Sequence, residues 1–235
     1  MERTWQVLIA DLKSSRQISA RERPHVDRAL QKAIVRALRR HRTRFRLIPQ
    51  VLKGDELQAV LHADAPALGI LTDLRAGLVV EAGRRIDLRA GIGCGTIQRL
   101  SSKGPFASEG EAFHRARAAL ERAKQAGGTG LTAWRTGDET FDAAADALLG
   151  VTDALVARWT APQWEAVAGR LQGKGLHDIA RETEVSFQSV SKRLRAASWN
   201  EVQQAFEWLE RSAARLVGGR VRRQEGESRR SPSRG

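Results

Sequence analysis

Gln50–Val60 reads QVLKGDELQAV. Two apolar, strand-length runs meet at a Lys-Gly-Asp-Glu turn, which is the pattern of a β-hairpin. A plain hairpin tip needs little more than the glycine. Here two adjacent carboxylates, Asp55 and Glu56, stand in a chain with 40 Lys and Arg against 27 Asp and Glu. The tip therefore reads either as an ordinary turn or as the place where a cation or a nucleotide sits.

Working outward, WQVLIADL (5–12) is a buried strand ending at Asp11, followed by the polar connection KSSRQIS. From Pro24 to His41, Val26, Leu30, Ala33, Ile34, Ala37 and Leu38 recur at three- and four-residue spacing. That spacing predicts an amphipathic helix with an arginine-rich outer face. Residues 65–83 predict a second helix, and RRIDLRAGIGCGTIQRL returns to strand. In that strand Gly91, Gly93 and Gly95 share one face, where they permit close approach of a neighbouring backbone or a ligand. EGEAFHRARAALERAKQ predicts a third helix, and GLTAW a short last strand. The order strand, helix, hairpin, helix, strand, helix, strand gives an α+β sandwich with helices packed on one sheet.

From Asp138 onward the pattern is continuously helical, and the last stretch, GGRVRRQEGESRRSPSRG, is basic and nearly free of apolar residues. Such a tail cannot bury enough surface to offset the entropy of ordering it, so disorder is expected. A formal net charge of +13 and a pI near 11.2 point to a polyanionic partner, nucleic acid before an anionic membrane. The single cysteine, Cys94, excludes an intrachain disulfide framework and reads as a small buried strand residue. No apolar run is long enough for a membrane span or a signal peptide, so a cytoplasmic protein is expected.

TAPQWEAVAGRLQGKGLHDIARETEVSFQSVSKRLRAAS carries the most specific pattern. Trp164, Val167, Ala168 and Leu171 mark one helix, and Leu176, Ile179 and Ala180 a second. Ser186 is placed to cap a third, with Val190 and Leu194 facing inward. The stretch resembles the fourth region of sigma-70-type factors, a helix-turn-helix. In that motif the last helix lies in the major groove of double-stranded DNA. Gln188 and Ser189 then meet base edges, Lys192 and Arg193 meet bases or phosphates, and backbone amides near Ser186 hold a phosphate. Arg220, Arg222, Arg223, Arg229 and Arg230 of the tail add phosphate attraction that is blind to sequence.

VLIADL, KGDELQAVL, IDLRAGIGCGTI and GEAFHRARAAL fall in the order of the sequence blocks of class III nucleotide cyclases. With the helix-turn-helix downstream, the chain resembles the bacterial SatD family over about residues 4–200. The cyclase resemblance implies that Asp11 and Asp55 hold Mg²⁺ or Mn²⁺, aided by the Leu12 carbonyl, and that Gly54 shapes the hairpin. It also implies that Lys53, Gly54, His114 and Arg117 face a nucleotide or its phosphates. The pattern departs where the cyclases carry an asparagine and an arginine on the third helix. His114 holds the first position and Ala118 the second, with Arg117 one residue off register.

The fold expected is therefore α+β: a ferredoxin-like or nucleotide-cyclase-like sandwich (1–136), a connecting helix (137–158), an all-α helix-turn-helix domain (159–212) and a disordered basic tail (213–235). The function expected is DNA-binding transcriptional regulation, the first domain sensing a nucleotide or other small ligand or pairing the chain into a homodimer, with no membrane partner. Two alternatives stand beside it: a Mg- or Mn-dependent nucleotidyl cyclase or nucleotidyltransferase using Asp11 and Asp55, and a non-enzymatic adaptor for RNA polymerase or RNA.

Overall fold

The computed structural model describes residues 4–52, 55–126 and 130–228. Five strands, β1 (Thr4–Leu12), β2 (Phe45–Val51), β3 (Leu57–His62), β4 (Leu88–Thr96) and β5 (Thr132–Arg135), form one sheet in the order β2-β3-β1-β4-β5. All neighbours are antiparallel except β4 and β5. Among the described residues there are eight α-helices: α1 (Arg23–His41), α2 (Ala67–Ala82), α3 (Glu111–Gln125), α4 (Glu139–Val156), α5 (Ala161–Leu171), α6 (Leu176–Glu182), α7 (Phe187–Ala196) and α8 (Trp199–Ser228). No described helix is long and apolar enough to cross a membrane.

Alternation along β1 sorts the two faces of the sheet. Leu8, Ala10 and Leu12 join the large core built with α1 and α2, whereas Trp5, Val7 and Ile9 pack against Ala112, Ala116 and Leu120 of α3. The helices thus lie on both faces of the one sheet. The glycine stripe explains how α3 fits. A Cβ on Gly91 would run into the Ala116 carbonyl and Leu120 amide, and one on Gly93 into the Ala116 amide and Ala112 carbonyl. The close neighbour that the glycines admit is therefore the backbone of α3. Cys94, on the opposite face, is buried and accepts from Trp134 Nε1 at 3.2 Å.

α2 is buried around most of its circumference, with Thr72, Asp73 and Arg75 enclosed among its apolar residues. The sheet and α1 cover one side of it, and α5 and α8 the other. A single apolar core consequently runs from Leu8 through Trp159, Trp164 and Trp199 to Val217. The expected tail boundary at 213 needs correction, because α8 continues through it. Val202, Phe206, Leu209, Ala213 and Val217 form one buried stripe at spacings of three and four, and this holds the helix past the predicted break. Residues 229–235, with Arg229 and Arg230, lie outside the described residues, and the Arg220, Arg222 and Arg223 side chains are likewise not described.

α8 also donates an acid to the first turn of α2. The Glu210 carboxylate accepts from the Gly69 amide (3.0 Å) and from the Leu68 amide. A helix N-terminus favours an anion by about 0.3–1 kcal/mol. Burial outweighs it, and Glu210 is pushed up to about 7. Because the folded state holds this proton more tightly than the unfolded chain, its stabilisation is complete below the ordinary carboxylate range and is lost as pH rises through 7. Glu210→Gln is expected to raise the denaturation midpoint at pH 8, by the equivalent of about 1–3 kcal/mol, and to change little at pH 5. Chemical denaturation of both proteins at the two pH values measures the difference.

Candidate functional site

The register of the sheet builds a charged cluster where β1 ends. Ala10 pairs with Leu57, so Asp11 lies one step on, opposite Glu56, and it pairs with Arg89 on its other side. By alternation Asp11, Glu56 and Arg89 all face α3, because Leu57, Ala59 and Leu61 point into the other core. The last two turns of α3 then bring cations over them. Lys124 Nζ stands 3.1 Å from Asp11 Oδ2 and 2.9 Å from Glu121. Arg117 donates two hydrogen bonds to Glu56, at 2.5 and 2.7 Å, and Gln58 Nε2 adds a third at 2.9 Å.

The electrostatics follow. Burial raises the Asp11 carboxyl above its ordinary range, Lys124 opposes that rise, and Asp55 adds to it by charge repulsion. The charge of Asp55 is thus felt at Asp11. Glu56 is held below its ordinary range, first by the hydrogen bond from Arg117. The Arg117 guanidinium is raised by the same bond. Burial works against the Lys124 ammonium, but Glu121 and Asp11 together carry its pKa upward.

Asp11 and Arg117 therefore lie at one end of the sheet, with the Asp55 charge reaching Asp11. Lys53 and Gly54 lie outside the described residues. His114 is exposed on α3 and makes no side-chain contact with the cluster among the described residues, whereas Ala118 is exposed and offers no charge. Sequence reasoning missed Glu56 as the seat of Arg117, and missed Lys124 altogether. Strand alternation from Leu57 was the signal for Glu56. The position of Lys124 follows only from how α3 sits across the glycines.

Two carboxylates are a sufficient protein share for a hard divalent cation that draws its other ligands from water and phosphates. Asp11 and Asp55 fit that role, and their mutual repulsion is what such a cation relieves. They do not make an all-protein cage: no three potential metal-ligating side chains gather among the described residues, and an ammonium already compensates Asp11.

A second candidate surface lies in the C-terminal helices. α6 and α7 are joined by residues 183–186, with Glu184 at φ 53° in the turn. Ser186 is the N-cap of α7, its side chain accepting from the Ser189 amide at 3.2 Å, and the two hydroxyls lie 3.0 Å apart. Val190 is buried with Ala166, Ile179 and Ala180, and Leu194 packs beside them. The opposite side of α7 exposes Gln188, Lys192 and Arg195. Arg193 is turned toward Glu165 of α5, at 3.5 Å, so it is less available than its position in the sequence suggested.

The model of the SatD family matches residues 5–203, and the chain belongs to that family. No curated protein sequence matches it. Among solved structures it is similar to the guanylate cyclase domain of RhGC from Catenaria anguillulae in complex with GTP. That pair shares 15% identity over 51% of this chain and 73% of the other, at a TM-score of 0.39. The catalytic core of a rhodopsin-guanylyl cyclase with converted specificity, in complex with ATPαS, shares 14% identity over 51% and 72%, with a TM-score of 0.41. A regulator of polyketide synthase expression from Bifidobacterium adolescentis covers 94% of this chain and 82% of its own, at 17% identity and a TM-score of 0.24. Likenesses this distant assign no activity to the chain.

Proposed function

We propose that this SatD family protein is a DNA-binding regulator of transcription. In this reading α7 enters the major groove of duplex DNA, Gln188 meets base edges, and Lys192 with Arg193 reaches bases or phosphates. Ser186 and Ser189 order the first turn, so that its backbone faces a phosphate. The observation that carries the reading is the two-sidedness of α7. Val190 and Leu194 fix it to α5 and α6, while Gln188, Lys192 and Arg195 are left exposed on a chain of net charge +13. A homodimer presenting two copies of α7 to spaced half-sites, in the cytoplasm of a bacterium, goes with this reading.

The first unit is read as the sensor. The all-antiparallel order β2-β3-β1-β4, with α1 and α2 on one face, supports a ferredoxin-like arrangement to which β5 is added. Its cluster at Asp11, Asp55, Arg117 and Lys124 takes a nucleotide or another anionic ligand, with Mg²⁺ or Mn²⁺ held by the two aspartates. Such a cation, when bound, neutralises phosphate charge, and Arg117 and Lys124 orient the same oxygens from α3. The second reading is a metal-dependent nucleotidyl enzyme that uses Asp11 and Asp55. Against turnover stands Arg117, whose guanidinium has to be shared between Glu56 and the phosphate.

The test is fluorescence anisotropy of the full chain on selected duplexes across a salt series. Lys192→Ala is expected to weaken binding to a selected site about tenfold, the equivalent of about 1–1.5 kcal/mol, and Asp55→Ala to leave it unchanged. A wild-type protein without sequence-selective, salt-dependent binding overturns the regulator reading. A thermal-shift series with Mn²⁺ and nucleoside triphosphates tests the sensor, since a ligand bound only by the folded chain raises the midpoint. No shift with either removes the ligand reading. Triphosphate consumption that is lost in Asp11→Ala favours the enzyme.

A further inference from the structure

The cations of α1 divide into two groups. Arg23 pairs with Asp27 at 2.9 Å, Lys32 with Glu81 at 3.1 Å, and Arg40 and Arg36 share buried Asp73 at 2.6 and 4.0 Å. Arg28 and Arg39 have no ion-pair partner among the described residues, and both are exposed. With Lys32 and Val35 they form one stripe at spacings of four, three and four along the outer edge of the helix. From Arg28 to Arg39 that stripe rises roughly 16 Å at about 1.5 Å per residue. The phosphates of one DNA strand recur at about 3.4 Å along the duplex axis, so the stripe matches several of them.

The stripe borders an open cleft of about 780 Å³ lined by Lys32, Val35, Arg36, Arg39 and Arg40, with Gln172 on the far wall. Glu81 is the one carboxylate on that lining. Within it Lys32 is paired with Glu81, and Arg36 and Arg40 with Asp73, which leaves Arg39 as the lining cation without an ion-pair partner among the described residues. The cations of the cleft outnumber its acids, and its open form suits a polymer that passes through rather than a small ligand enclosed by walls. Gln172 directly follows α5, the helix against which α7 packs. The cleft is thus continuous with the unit that carries α7.

We propose that the α1 cleft holds the phosphate backbone of duplex DNA flanking the segment read by α7. The inference rests on the DNA-binding reading of α7 and extends it to a second contact, one that adds affinity without sequence preference. Arg39 and Lys32 meet phosphate oxygens, and Arg28 continues the track. Arg36 and Arg40, tied to Asp73, supply the floor.

The double variant Arg28→Gln/Arg39→Gln tests this, since both side chains are exposed and unpaired, and an unchanged melting temperature confirms the fold. The plot of log affinity against log salt is expected to become shallower by about two, with affinity falling by a similar factor on every sequence. The ratio between the selected site and random duplex stays constant. If the wild type binds DNA selectively and the slope of the double variant is unaltered, the cleft proposal is overturned and the α7 reading stands. If the wild type binds no duplex, both fall together. A nucleoside triphosphate probe that stabilises the wild type but not the double variant makes the cleft a small-ligand site and overturns the proposal. A triphosphate held at Asp11 would stabilise the two alike.

Discussion

Replacing Gly93 by valine is expected to unfold the protein. The side chain would project from β4 into the Ala116 amide and the Ala112 carbonyl, which are backbone atoms of α3 and have no rotamer to yield. Relief requires α3 to lift from the sheet. That movement uncovers Trp5, Val7, Ile9 and Val60 from their contacts with Ala112, Ala116 and Leu120, and it carries Arg117 and Lys124 away from Glu56 and Asp11. Overpacking alone costs about 1–3 kcal/mol when a core can adjust. Here the obstacle is main chain, and a loss above about 4 kcal/mol is expected, a large share of the stability of an ordinary domain. Urea unfolding followed by tryptophan emission measures it. Gly150→Ala is the control: on α4 a methyl at that position meets nothing within 4 Å, so a gain of about 0.5–1 kcal/mol is expected. A Gly93→Val protein with the wild-type midpoint would sink the account of the glycine stripe.

The second large effect concerns a charge hidden between layers. Arg75 of α2 is 1% exposed, and its guanidinium donates to the Leu88 carbonyl (2.8 and 3.1 Å), the Leu131 carbonyl (2.9 Å) and Thr132 Oγ1 (3.0 Å). Asp153 of α4 closes the same group by accepting from the Leu131 and Thr132 amides at 2.8 and 2.6 Å. α2 and α4 together thereby fix β4 to β5, where a short parallel pairing holds the strands. Burial pushes Asp153 up to about 6, even though Arg75 and the two amides pull it down. Arg75→Met removes the guanidinium from the Leu88 and Leu131 carbonyls, of which Leu131 keeps the Ala90 amide, and leaves a carboxylate without its counter-charge, a loss of about 3–5 kcal/mol.

The pH dependence of that loss has a definite sign. A carboxyl raised in the folded state stabilises fully below its unfolded value, near 4, and that contribution disappears as pH climbs through about 6. Without Arg75 the carboxyl keeps its proton to higher pH, so the variant is expected to suffer least near pH 5 and most near pH 8. Adding Asp153→Asn to Arg75→Met removes the charge and should restore part of the stability at pH 8 only. Equal destabilisation at both pH values would show that Asp153 does not respond to Arg75.

Much of this architecture can be read in the chain, and the unread parts have physical reasons. Periodicity switches cleanly between two and 3.6, so the order of strands and helices through β5 is visible from residue spacing alone. The glycines of β4 announce a close approach, but spacing does not say what approaches. Once α3 is known to sit there, Arg117 and Lys124 fall over Glu56 and Asp11. Asp11 could be set near the hairpin from sequence because a strand end and a hairpin tip share one end of the sheet whenever β1 lies beside β3. The seat of Arg117 escaped because Glu56 was read with the turn rather than with the alternation that begins at Leu57. The union of the C-terminal helices with the sheet layer escaped for a different reason. α2 shows apolar residues on every side, which demands two partners, but its second partners lie beyond residue 160 and no local pattern names them.

The enclosure of α2 also bears on how the chain is made. During synthesis α2 leaves the ribosome long before α5 and α8 exist, and its outward side stays bare until Trp164 and the stripe from Val202 to Val217 have emerged. Chains of this length fold with stretches of apolar surface transiently uncovered, and such surface invites aggregation. A nascent chain halted before residue 199 would carry the sheet, the charged cluster and all of α7, yet would expose α2 where α8 should lie. Such truncated products are expected to be chaperone clients, and the emergence of α8 is the step that releases the protein from the folding machinery.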